Sequence, residues 1–243
     1  MIELKNISKN FGKNIVLKNL NIKFPSKGLY VIYGSNGIGK TTLLYILGLL
    51  DFSFKGKLII DGLDAKQTNK SVLRKYRNKN ISYIFSKGNL ISYLNVKENL
   101  YLGINDKENI TRFISLPDKQ DVKTLSGGEE LLLSLSHEIS LNKKIYLLDE
   151  VTAALDDKNL NKVTSVLKEL SKKSLVIMIA HDDRIKSLGI NIDIFNYMDY
   201  HKCEKVERNE IRWFAGLDYA FRKWRFEFYQ KNGFSVWVFK RFS

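Results

Sequence analysis

The chain has one cysteine, three histidines and no long apolar run. A single thiol, Cys203, excludes an internal disulfide and with it a disulfide-held secreted scaffold. His137, His201 and Cys203 share no metal-ligand spacing, which argues against a structural zinc site. No stretch reaches the roughly eighteen consecutive apolar residues of a membrane-crossing helix, and MIELKNISKNFGK carries neither an apolar signal core nor a small-residue cleavage site. The expectation is a chain that stays in the cytoplasm and does not span a membrane. Internal repeats and low-complexity tracts are also lacking. Acidic residues are in deficit: 40 Lys and Arg against 26 Asp and Glu leave +14. That charge favours anionic partners without choosing among nucleotides, nucleic acids and acidic lipid headgroups.

What is present is enough apolar material, over 243 residues, for one well-filled core or two small ones. Short apolar runs recur at 29–33 (LYVIY), 57–60 (KLII), 81–85 (ISYIF), 145–148 (IYLL) and 174–180 (SLVIMIA), mostly separated by helix-like stretches. This alternation predicts an α/β fold with a buried, mainly parallel sheet flanked by helices. IELKNI and the alternating Leu20, Ile22 and Phe24 predict half-exposed antiparallel strands, an N-terminal β layer beside the main sheet. From about 87 to 143 the pattern is helix-like with breaks at Gly, Asn and Pro117, a small helical subdomain.

The strand LYVIY leads into GSNGIGKTT and then LLYILGLL. Strand, glycine loop and helix in that order are the context a phosphate-binding loop requires. Gly34, Gly37 and Gly39 let successive N–H groups of Ser35, Asn36, Ile38 and their neighbours face one phosphate chain at the positive end of the following helix. Lys40 supplies a point charge for the β and γ phosphates, the Thr41 hydroxyl a ligand for Mg²⁺, and Thr42 completes the motif. A ligand-free glycine turn is the plain alternative. KKIYLLDE ends an apolar strand with Asp149 and Glu150 at the edge where parallel sheets bind ligands. Neighbours on an extended chain point apart, so one carboxylate can hold a metal's water shell while the other polarises an attacking water. In LSGGEELLL, Ser126 and Glu129 form the S-x-x-E capping box of a helix whose Leu132, Leu135 and Ile139 face inward. Gly127 and Gly128 go unexplained by capping; at a helix's positive end they make a second phosphate site. One chain hardly folds both sites onto one nucleotide, whereas a head-to-tail pair of chains can.

Together these residues resemble the ATP-binding subunits of ABC transporters over about residues 1–200, leaving 201–243 as an aromatic, basic extension. GSNGIGKTT resembles Walker A, IYLLDE Walker B, LSGGE the family signature and AALD (153–156) the D-loop. The resemblance implies a P-loop ATPase of ABC type using ATP and Mg²⁺. It assigns adenine stacking to Phe11, metal ligation to Thr41 and Asp149, the general base to Glu150, the γ-phosphate switch to His181 and a subunit bridge to Asp156. Without it, the favoured reading of His181 is a strand-end histidine bonded to Asp182 or a backbone group. ILGLLDFSFKGKLIIDG and LRKYRNKNISYIF look most like the branch serving lipoprotein release, macrolide export and peptide-antibiotic resistance.

Two departures qualify the likeness. Where the family has a metal-reaching Gln, this chain has Ser86, shorter by about two bonds and with one oxygen; it reaches Mg²⁺ only through a water, and hydrolysis is expected to be weakened or differently gated. After the signature, EELLLSLSHEISL replaces the usual Gln-Arg pair and basic, alanine-rich helix, and the subdomain is short, so partner choice does not carry over.

Residues 213–242 hold 12 of the 29 aromatic residues and all three Trp. Leu217, Phe221, Trp224 and Phe228 share one helical face, with Arg222, Lys223 and Arg225 off it. The pattern fits an interfacial helix on an acidic membrane, a helix packed on its own domain, or, third, base-stacking contact with nucleic acid.

The resulting expectation is an ATP-hydrolysing subunit, on the inner face of the cell membrane, that powers a transporter as a homo- or heterodimer bound to a permease. A soluble ABC-type ATPase acting on nucleic acid or the ribosome, and a nucleotide-binding regulator impaired in hydrolysis, are the alternatives. No coiled-coil insertion, metal hook or duplicated ATPase domain supports the first alternative, and intact Glu150 and His181 oppose the second.

Overall fold

The computed structural model describes residues 1–86, 89–104, 110–153, 155–181, 183–185, 187–198, 224–231 and 234–241. The chain divides into two units, residues 1–199 and 200–243.

In the first unit, β1 (Ile2–Phe11), β2 (Asn14–Phe24), β4 (Lys55–Ile60) and β5 (Leu63–Asp64) form an antiparallel sheet in the order β2-β1-β4-β5. Leu20, Ile22 and Phe24 are all buried, as period-two alternation requires. The KLII run corrects an expectation: it belongs to this sheet, with Ile60 opposite Ile2, and not to the parallel one. Its polar first half explains the choice, since Lys55, Gly56 and Lys57 are exposed while parallel strands are covered on both faces.

The second sheet is parallel, built from β3 (Gly28–Tyr33), β6 (Ile81–Ile84), β7 (Ile145–Asp149), β8 (Leu175–Ile179) and β9 (Ile190–Asp193) in the order β6-β7-β8-β3-β9. Every residue of β7 and β8 is buried, which is why both read as unbroken apolar runs. β9 was not expected, because three of its four residues are exposed and INID has no readable period. One core lies between the antiparallel sheet, α1 (Lys40–Leu47) and one face of the parallel sheet, with Phe24, Leu43, Leu147 and Ile177 among its members. The other face packs on α4 (Gly127–Ser140) and α5 (Asp157–Ser171) through Leu132, Leu135, Leu148, Val163 and Met178.

Between the sheets' strands lie α2 (Lys70–Asn80) and α3 (Val96–Tyr101). Among the described residues of 87–143 there is no strand, only α3, α4, a 3-10 turn at Val122–Thr124 and a lone bridge between Asn95 and Asp121. Val96, Leu100, Val122 and Leu133 give this stretch a small core of its own. The serines of α4 have a structural use. Ser134 Oγ accepts from the Asn89 N–H at 3.0 Å, Ser136 Oγ from Phe113 N–H at 3.0 Å and Ser140 Oγ from Thr111 N–H at 3.0 Å. Irregular backbone packed against α4 thereby finds the partners its buried amides need.

In the second unit, β10 (Trp224–Lys231) and β11 (Phe234–Arg241) pair antiparallel. This corrects the helical face read through Trp224 and Phe228, which lie on β10 opposite Arg241 and Trp237. Trp224, Phe226 and Phe228 alternate, aromatic residues favour strands, and the Asn232-Gly233 step between the strands is a hairpin signal that outweighs the helical spacing. Leu217, Phe221, Arg222 and Lys223 lie outside the described residues.

Replacing Ser136 by Ala leaves the buried Phe113 N–H without its acceptor. The expected cost is about 1–3 kcal/mol of folding stability, read as a lower midpoint in chemical denaturation, with Ser136→Thr retaining more of it.

Candidate functional site

The glycine loop follows β3 and ends at α1. Gly39 caps α1 with φ 101 and no side-chain cap, so the first-turn amides are left for a ligand. A Cβ there would stand 2.7 Å from Val16 Cγ1 and 3.0 Å from the Val16 carbonyl. The loop is thus pressed onto β2, and only glycine fits. Ser35, Asn36 and Gly37 are exposed and Ile38 half-buried, while Thr41 and Thr42 sit in the first turn of α1. Lys40 is buried and its Nζ donates to the carbonyls of Gly34 at 2.9 Å and Ser35 at 3.0 Å. Burial lowers the Lys40 pKa, while the charges of Glu150 and Asp149 act in the opposite sense.

The carboxylates stand one strand away. β8 runs between β3 and β7, and Asp149 pairs in register with Ile179. The residues that follow those two strands are Glu150 on one side and Ala180 and His181 on the other. His181 Nε2 lies 3.2 Å from Glu150 Oε1, with the side chains 42% and 43% exposed, open enough for a water to reach both. Glu150 has φ 54, a strained value for a non-glycine residue, and its N–H donates to the Ile179 carbonyl at 3.2 Å. Asp149, by contrast, is buried. Thr41 Oγ1 donates to its Oδ1 at 3.3 Å, and the Tyr83 hydroxyl donates to its Oδ2 at 3.5 Å. Burial, then the neighbouring Glu150 charge, raises the Asp149 pKa against the pull of Thr41, Tyr83 and Lys40. Burial and then Asp149 also raise the Tyr83 pKa, so its hydroxyl keeps its proton and donates it. Thr41 Oγ1 and Asp149 are hard oxygen donors side by side, the set that suits Mg²⁺.

Lys40, Thr41, Asp149, Glu150 and His181 are therefore brought together at the carboxyl edge of the parallel sheet. Other expected site residues stand apart from this cluster. Phe11 ends β1 with its ring 56% exposed and the buried Lys9 ammonium 4.9 Å from its centroid; Lys9 pairs with Asp51 at 2.7 Å. The cation lies over the ring of an otherwise exposed residue. Ser86 lies two residues beyond β6 and is exposed, and among the described residues no hydrogen bond joins it to Asp149 or Thr41. The bonds of Ser126 and Glu129 are local: Ser126 Oγ accepts from the Glu129 N–H at 3.4 Å, and Glu129 Oε2 accepts from the Ser126 N–H at 2.8 Å, the expected capping box. Gly127 is exposed and Gly128 half-buried in the first turn of α4. Asp156 caps α5, accepting from the Asn159 N–H at 2.8 Å, and stays exposed.

Sequence reasoning missed Tyr83 and Lys9. Tyr83 pairs in register with Leu147, two residues before Asp149, so it shares that residue's face of the sheet. A tyrosine among the isoleucines of ISYIF was the available signal; its meaning needed the register.

The ABC transporter family matches residues 17–153. The methionine import ATP-binding protein of Clostridium acetobutylicum is 33% identical over 196 residues, covering 74% of this chain and 61% of that protein. The macrolide export ATP-binding/permease protein of Campylobacter jejuni is 33% identical over 199 residues, 76% of this chain and 31% of that one. The chain thus spans less than two thirds of either relative. An uncharacterised ABC transporter ATP-binding protein of Methanocaldococcus jannaschii is 30% identical over 233 residues, 86% of this chain and 97% of that protein. A solved dimer of that cassette superposes with a TM-score of 0.68 at 28% identity, over 80% of this chain and 95% of the other. A second structure of it, also dimeric, holds ADP and Pi after hydrolysis and gives a TM-score of 0.67 at 27% identity over the same shares. The chain belongs to the ABC transporter family, and what it shares with these relatives is the family's ATP-binding cassette.

Proposed function

We propose that the chain is an ATP-binding and ATP-hydrolysing subunit that powers a membrane transporter, with residues 1–200 as its ATPase domain and 201–243 as an extension. The observation that carries this reading is the meeting of Lys40, Thr41, Asp149, Glu150 and His181 at one sheet edge. Phosphates of ATP lie along the amides of residues 34–39 and at the start of α1, with Lys40 on the β and γ groups and adenine on the exposed Phe11. Thr41 and Asp149 would hold Mg²⁺, which when bound would supply charge neutralisation at the phosphates. Ser86 would reach the ion only through a water. Glu150 takes a proton from the attacking water, and His181, within bonding distance of Glu150, orients it and contacts the γ phosphate.

Gly127 and Gly128 on one chain then close over the phosphates of a second chain, and Asp156 bridges the pair. That the archaeal relative has been solved as a dimer supports pairing of two chains. The partner on the other side is a permease, with the chain on the inner face of the membrane. Among the described residues no helix is long and apolar enough to cross a membrane. The branch resemblance favours an exporter or a lipid- or peptide-handling system, and residues 213–243 add contact with the membrane surface. Ser86 in place of Gln favours slowed hydrolysis, which at its extreme is a nucleotide-binding regulator.

Steady-state ATPase measurement tests the reading. Glu150→Gln is expected to cut the rate by about 10²–10⁴-fold while ATP still binds; an unchanged rate would remove Glu150 as the base and the reading with it. In the same assay Ser86→Gln is expected to raise the rate and lower the Mg²⁺ requirement, and no change in either sinks the slowed-hydrolysis reading. Gly128→Asp places a carboxylate where a partner's phosphate would lie. It is expected to abolish ATP-dependent dimerisation, measured by gel filtration of the Glu150→Gln protein, while binding of ATP to the monomer persists.

A further inference from the structure

Asp149 receives two hydroxyl groups, one on each carboxylate oxygen: Thr41 on Oδ1 at 3.3 Å and Tyr83 on Oδ2 at 3.5 Å. They come from different elements. Thr41 belongs to α1 and is tied to the phosphate loop, whereas Tyr83 belongs to β6, the edge strand that runs on to Ser86. The Tyr83 ring packs against two others, 5.7 Å from the Tyr45 ring and 4.4 Å from the Phe85 ring. Its backbone is fixed too, because its carbonyl accepts from the Asn89 side chain and the strand pairs with β7. The hydroxyl is therefore delivered to Asp149 by a rigid support and not by a mobile side chain. At 3.5 Å the contact is long for an O–H···O bond, within the range that tightens when a ligand binds.

A carboxylate that ligates a metal needs its other oxygen held, or it swings between binding modes, and outer partners of this kind set metal affinity. We propose that Tyr83 is a positioning residue for the metal-dependent step: its hydroxyl, donating to Oδ2, holds Asp149 so that Oδ1 faces the metal position beside Thr41. This rests on the reading of Thr41 and Asp149 as the Mg²⁺ ligands. With Ser86 too short to reach the metal directly, β6 acts on the metal site through Asp149, by way of Tyr83.

The test is ATP affinity of the full chain by titration calorimetry, in saturating Mg²⁺ and in EDTA. Tyr83→Phe keeps the ring between Tyr45 and Phe85 and removes only the hydroxyl. Affinity in EDTA should match the unsubstituted chain, while the gain in affinity on adding Mg²⁺ should shrink by about tenfold. Tyr45→Phe, which removes a hydroxyl from the adjoining ring, should leave the gain intact. In an Asp149→Asn background the Tyr83→Phe change should have no further effect on the gain, since its target is gone. A full Mg²⁺ gain in Tyr83→Phe overturns the inference alone, as does a further loss in the Asp149→Asn background. Loss of affinity in EDTA as well would make the hydroxyl merely structural and also overturn it. No Mg²⁺ gain in the unsubstituted chain would overturn both this inference and the functional reading beneath it.

Discussion

The site depends on the pairing of one short strand, Leu175–Ile179, with neighbours on both sides. β8 bonds to β3 and to β7, so the phosphate loop that follows β3, the carboxylates that end β7 and the histidine that follows β8 arrive at one edge. The strand is wholly buried, and a parallel sheet covered on both faces holds its register tightly. A slip of one residue would turn Asp149 to the other face of the sheet and part Glu150 from His181.

On that frame the chain keeps charges a folded protein by itself would not favour. Lys40 and Asp149 are buried, and Glu150 carries a strained backbone. Burial lowers the pKa of the first and raises that of the second, which marks both charged forms as under-solvated. In the proposed function, phosphates beside Lys40 and a divalent ion beside Asp149 would supply the missing counter-charges. Tyr83 and Thr41 partly offset the cost by bonding to both oxygens of Asp149.

The helix after the second glycine loop follows a different logic. Most of its length serves the fold: leucines face the core, and Ser134, Ser136 and Ser140 accept amides from irregular backbone beside it. Its amino-terminal turn is locally satisfied by the Ser126–Glu129 box, with Gly127 exposed. The serines of this helix are thus a means of holding the irregular backbone of the subdomain against it.

The sequence by itself determined what depends on neighbours in the chain. The strand–glycine loop–helix order, the acids ending an apolar run, the capping box at 126–129 and the alternation of the first strands are all set by local periodicity and backbone conformation, and each was legible. Tertiary structure alone decided which strands pair. It sent the KLII run to the antiparallel sheet and made a four-residue strand of INID. It also brought Tyr83 to Asp149, a contact that joins residues from different strands. Pairing energy is gained between segments far apart in the chain, and a pattern read along the chain carries period but not partner.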